Sequence, residues 1–172
     1  MLMTTNTIWT PITTENLADL VGLNAIDARL LVELEPHAAA AAPAFQEAIF
    51  SRLIQKFLYV SPIEYEMGKS ALEKWFVYLF HHADVIENFH PCRERQAGSH
   101  HEHLHRKSGI PFRYVLSLLD VILKYGKRVT QNSSEPERAY SAFQKILGLE
   151  FALNQVYEEM YISHLSELML DD

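Results

Sequence analysis

His100, His101, His103 and His105 crowd into six residues, and no other stretch of the chain concentrates so much potential chemistry. One reading of them is a solvated, His-rich loop or helix face. A second is zinc. His101-Glu102-His103-Leu104-His105 spells H-E-x-x-H, in which two histidines one helical turn apart bind the ion and the glutamate is a general base. A segment so rich in histidine meets half of that pattern by composition alone. A zinc hydrolase also needs a third protein ligand, and the helix predicted over Pro111–Lys127 offers only Asp120, on its polar stripe. Such sites usually lie beside an edge strand that binds the substrate backbone, and no segment here reads as a strand.

The third reading is an iron ligand. On a helix, His101, Leu104, His105 and Ser108 share a side, so His105 can point into the core beside an apolar neighbour. A single neutral imidazole beneath a flat apolar cavity is what five-coordinate heme iron requires. Large apolar side chains are plentiful: Phe45, Phe50, Trp75, Phe76, Phe80, Tyr114, Leu118 and Phe151. Taken alone, that set is equally what an ordinary aromatic-rich core contains. Arg106, Lys107 and Arg113 lie near enough in sequence to meet heme propionates, or simply to complement helix ends. His81, His82 and His90 read as solvated, with a sixth iron ligand left open. His37 and His164 read as surface or helix-end residues. Cys92, beside Pro91, is the single cysteine and reads as a loop thiol, so neither an internal disulfide nor a cysteine zinc cluster can form.

The elements that would position these residues are helical. Residues 1–13 read as a polar tail, and one domain is expected over 14–172. A short helix starts near Thr14 and ends at Gly22. Asn24 caps the next, through Leu34, with Ile26, Leu30, Leu31 and Leu34 at helical spacing and Pro36 interrupting it. Ala38–Ala42 and Phe45–Leu58 read as a second helix entered around Pro43. Ser61-Pro62-Ile63-Glu64 opens another, reaching about Phe80. Residues 81–98 are irregular, and Ser99–Lys107 is helical up to Gly109. Pro111–Lys127 carries one narrow polar stripe, Arg113, Ser117, Asp120 and Lys124, and is apolar elsewhere, which predicts burial on two sides. Gly126 and the polar run Thr130–Ser133 end it. Ser134-Glu135-Pro136-Glu137 is a capping box for a last helix to about Leu168, with Phe143, Leu147, Leu153, Tyr157, Met160, Tyr161 and Leu165 as its apolar face.

Composition bounds the partners. The chain has 172 residues, 48% of them hydrophobic, which suits one domain with a real core. Its 6 Gly and 7 Pro favour long helices over many hairpins. A formal charge of -7 argues against nucleic acid or an anionic membrane as the main partner. Met1–Thr14 lacks the basic and apolar runs of a signal peptide, and the cytoplasm is the expected compartment.

Several stretches, in order, resemble the globin domain of bacterial globin-coupled sensors, heme-based oxygen sensors often fused to output domains. Asp27–Pro36 is similar to the family's first full helix and the proline after it. Ile49-Phe50-Ser51-Arg52-Leu53 stands where a Phe-Tyr-x-x-Leu segment is usual, and Trp75–Phe80 resembles the aromatic end of the distal helix. The most specific piece is His105-Arg106-Lys107-Ser108-Gly109-Ile110-Pro111. The family's proximal histidine stands four residues before a Gly-Ile/Leu-Pro, which makes His105 the implied ligand rather than His101. Phe143–Tyr157 looks like the family's final helix. The resemblance covers about residues 24–165.

What the resemblance implies is an all-α globin fold with an extra N-terminal helix and no sheet, binding heme b. His105 would be the axial iron ligand, and Leu104, Phe50, Phe45, Trp75, Phe76, Leu79, Tyr114 and Leu118 would line the cofactor. The ligand would be a diatomic gas, O2 first, with CO and NO as alternatives. The last two helices, 111–127 and 135–168, would form a homodimeric four-helix bundle and carry the signal to a fused or separate output protein. No enzymatic activity is implied for this chain. Two departures stand out. The family's distal tyrosine, a hydrogen-bond donor to bound O2, corresponds to Phe50, or in another register to Phe45 or Gln46, so no phenol is retained. That forfeits a hydrogen bond worth on the order of 1 kcal/mol or more, unless Tyr59 or Tyr65 substitutes. The stretch from Phe80 to His105 is also longer than the family's, and Leu53–Lys74 shorter. The alternatives are a heme-free regulatory globin acting as a protein-interaction module and the H-E-x-x-H zinc hydrolase.

Overall fold

A computed structural model describes residues 20–57, 62–81 and 117–152. These are helical, with no strand among them. Leu20 and Val21 end a first helical stretch at Gly22, whose φ of 69° is the left-handed stop expected of glycine there.

Helix α1 (Ala25–Val32) begins where Asn24 takes an extended backbone and its side-chain oxygen accepts from the amides of Ile26 and Asp27, at 3.0 and 3.1 Å. That satisfies two of the four amide donors a helix start leaves free. It buries Asp27, Leu30 and Leu31 on one face. A tight turn through Glu33 and Leu34 leads into α2 (Glu35–Phe57), with Pro36 in its first turn, where a missing amide costs nothing.

The second helix is entered earlier than around Pro43: α2 runs unbroken from 35 to 57, with Pro43 inside it. Pro43 and Ala39, whose carbonyl loses its partner, both face outward, so water can satisfy that oxygen. Helix-favouring alanines on both sides and a buried face against the next helix hold the segment together. Helix α3 (Pro62–His81) starts at Pro62 as expected and makes the most extensive packing with α2. Its last residue, His81, places Nδ1 2.9 Å from a carboxylate oxygen of Glu35, pairing the end of α3 with the start of α2.

Two expectations fail at α4 (Leu119–Thr130). Ser117 and Leu118 form a turn, so the helix does not run through from residue 111 to Lys127; residues 111–116 lie outside the described residues. Gly126 does not stop it either. A Cβ there would land inside the ring of Phe143, so this glycine lets α4 approach the following helix closely, and the helix continues to Thr130. Thr130 Oγ1 donates to the Lys127 carbonyl, and Asn132 Nδ2 to those of Arg128 and Val129, which caps the end. The described part of this segment buries one face, Val121, Ile122, Gly126 and Val129, while Ser117, Asp120, Lys124, Lys127 and Arg128 are exposed. Within the chain it is amphipathic, with one face buried and the other exposed.

The last described helix, α5 (136–152), begins at Pro136. Its cap differs from the expected box: the hydroxyl that accepts a backbone amide, that of Glu135 at 3.1 Å, belongs to Ser133 rather than Ser134. Residues 153–168 of the predicted helix lie outside the described residues, as do 1–19 and 82–116. None of the described helices is long and apolar enough to cross a membrane.

Candidate functional site

The buried face of α2 carries Ala42, Phe45, Ile49, Phe50 and Leu53, and α3 turns Leu72, Trp75, Phe76, Leu79 and Phe80 toward it. These are successive i, i+3, i+4 positions, so helical period alone puts each set on one side. Phe45 stacks on Phe76 with ring centroids 4.2 Å apart and planes 20° apart. It also meets Trp75 at 6.3 Å and, edge-on, Tyr125 of α4 at 5.7 Å. Phe76 contacts Phe80 at 5.6 Å, and Phe80 stacks on Phe143 of α5 at 5.2 Å. One chain of rings, Tyr125–Phe45–Phe76–Phe80–Phe143, thus runs through four helices.

Of the predicted cofactor-lining residues, Phe45, Phe50, Trp75, Phe76, Leu79 and Leu118 come together in this single buried cluster. His105, Leu104 and Tyr114 lie outside the described residues, as do His82, His90, Cys92, His100, His101, His103, Arg106, Lys107, Arg113 and Tyr59. His37 is exposed, as expected, and lies on α2. Among the described residues no group of three or more His, Cys, Asp and Glu side chains is placed to hold a metal ion.

Polar groups inside the core were not anticipated. Glu150 is 1% exposed, and Trp75 Nε1 donates to its Oε1 at 3.1 Å. The signal was available: Glu150 stands three and four residues beyond Leu147 and Ile146, on the buried side of its helix. Gln46 is 7% exposed, between core residues Ala42 and Phe50 on the same helical face, and its Oε1 has no hydrogen-bond partner among the described residues. A buried amide oxygen left in this state costs roughly 1–3 kcal/mol. Asp27 is also buried and accepts from Lys145 Nζ at 2.7 Å, with Arg138 Nε at 3.6 Å, tying α1 to α5. At the surface, Arg52 of α2 donates to Asp120 of α4 at 2.8 Å. That hydrogen bond, aided by the guanidinium charge, holds the Asp120 carboxyl below its ordinary value of 3.8.

The described core residues are apolar and closely packed, with Phe45 in direct contact with Phe76. They supply a water-excluding wall of aromatic and aliphatic side chains and one buried polar atom, Gln46 Oε1, that lacks a partner. No family model, curated protein or solved structure matches this chain.

Proposed function

We propose that this chain is a heme-binding gas-sensor globin domain in which His105 would ligate the iron. The observation that carries the reading is convergence. Six apolar residues singled out for the cofactor wall, far apart in sequence, meet in one buried cluster, and Gln46, buried on the same face of α2 as Phe50, has an unpartnered Oε1. The His105-Arg106-Lys107-Ser108-Gly109-Ile110-Pro111 spacing supplies the ligand.

In this reading heme b, when bound, supplies an iron that takes up a diatomic gas, O2 first and CO or NO as alternatives. The chain's own residues do the rest. His105 offers a ring nitrogen to the metal. Phe45, Phe50, Trp75, Phe76, Leu79 and Leu118, with Leu104 and Tyr114, exclude water from the cofactor. Phe50 brings no phenol to bound gas, and Gln46, one turn earlier on the same buried face of α2, would be the polar side chain to replace it. A change at His105 passes to the following helices, which signal by shifting between two dimer packings toward a fused or separate output protein. The chain is a sensor and not an enzyme.

Purified protein expressed with heme supply should show a Soret absorption band that is lost in His105→Ala, with bound heme measured independently by extraction. A colourless protein after heme supply overturns the proposal. One observation favours the heme-free interaction module as a second reading: Phe45 and Phe76 stack closely enough to fill the space between α2 and α3 without a cofactor. Stoichiometric zinc with peptide hydrolysis would instead restore the H-E-x-x-H reading.

A further inference from the structure

Away from the aromatic core, α2 and the end of α4 enclose an open groove of about 320 Å³. Its α2 wall is His37, Ala40, Ala41 and Ala44, and the opposite wall, along α4 and the turn after it, is Tyr125, Arg128, Val129 and Asn132. Each wall is one i, i+3, i+4, i+7 stripe, about two helical turns long. The three alanines offer nothing beyond Cβ, so the backbone of another helix can approach closely along them.

One cation, Arg128, stands on the rim although the chain as a whole carries a formal charge of -7. The Arg128 guanidinium lies 5.4 Å from the ring centre of Tyr125, a cation–π pose that holds it on the groove side. Among the described residues it has no carboxylate partner. A basic residue in the last turn of a helix ordinarily serves the C-terminal carbonyls. Here those of Lys127, Arg128 and Val129 already accept from Thr130 and Asn132 side chains, so the guanidinium is not needed there. His37 stands exposed on the facing wall.

We propose that this groove docks a helix of a partner protein that lays small or apolar residues on the alanine floor and presents a carboxylate to Arg128 and His37. A helix matches two apolar-floored stripes of about two turns each better than a small anion, which needs enclosure to be held. The inference does not rest on heme binding. It does place the partner against Tyr125, whose ring meets Phe45 edge-on, so an occupied groove touches the same ring chain that runs through the core.

The test is selection of helical peptides on the intact chain, from a displayed library with alanine along one face and randomised positions at its edges. Selected peptides should carry Asp or Glu at an edge position. Arg128→Glu should weaken them about tenfold or more and turn the selection toward Lys or Arg. Ala44→Trp, at an exposed position, should block the floor and abolish binding. Circular dichroism checks that each variant is folded, and Arg128→Gln replaces Arg128→Glu if the latter is not. A selection without carboxylate bias, or a bias unchanged in folded Arg128 variants, overturns the proposal. A concentration-dependent dimer lost in Ala44→Trp also overturns it, by assigning the groove to a second copy.

Discussion

Gln46 is the residue on which the interior turns. Its amide oxygen is buried without a partner among the described residues, between side chains that are otherwise apolar. In protein free of any bound group, Gln46→Leu should leave stability unchanged or raise it by about 1 kcal/mol in urea denaturation, because the orphan is removed. A clear loss of stability would show that the amide is bonded after all. In heme-loaded protein the same substitution should speed release of O2 if Gln46 stands in for the missing phenol. Asp120 makes a second residue-scale prediction. Arg52→Ala should return its carboxyl toward 3.8, read from its NMR titration. Because the folded value is the lower one, the stabilisation is fully present above the unfolded value and is lost as pH falls through the folded value. Both side chains are more than half exposed, so salt should weaken the effect. A carboxyl whose titration ignores Arg52→Ala would contradict this.

At the scale of elements, the tie between α1 and α5 is asymmetric. Asp27 is almost wholly buried, whereas the Lys145 and Arg138 side chains are about a third exposed. Removing the anion leaves cations that water can reach, but removing Lys145 leaves a buried carboxylate with only the longer Arg138 contact. Lys145→Met should therefore cost about 2 kcal/mol, and more than Asp27→Asn, in chemical denaturation. The reverse order would mean that the pair is solvated. Element starts were legible because their signals are local: Asn24 bonds the amides two and three residues on, and Pro62 and Pro136 sit at first helical positions. Ends and interruptions were less so. Pro43 read as a helix entry and Gly126 as a helix end because both are poor residues for a helix interior, yet each is explained by its surroundings. Pro43 faces outward, and Gly126 admits Phe143.

For the whole molecule, the proposed signalling route requires a homodimer through 111–127 and 135–168. The described part of α4 buries only one face within the chain, with Leu119 36% exposed on its outer side. Light scattering at micromolar concentration should give twice the chain mass of 19.8 kDa. A monomer there would remove the four-helix-bundle route while leaving the heme proposal standing, since cofactor binding is assayed separately.

The amino-acid order by itself determined that the described segments are helical and which face of them is apolar, because caps and the 3.6-residue period are properties of neighbouring residues. It nominated Phe45, Phe50, Trp75, Phe76, Leu79 and Leu118 as the lining of a cofactor, and these six share one buried interior. Only the tertiary structure decided how that interior is filled. It stacked Phe45 on Phe76, buried Glu150 against Trp75 and Asp27 against Lys145, and left Gln46 Oε1 unpaired. Those outcomes depend on partners as many as 118 positions apart, and no local pattern encodes which distant side chain will meet a buried charge.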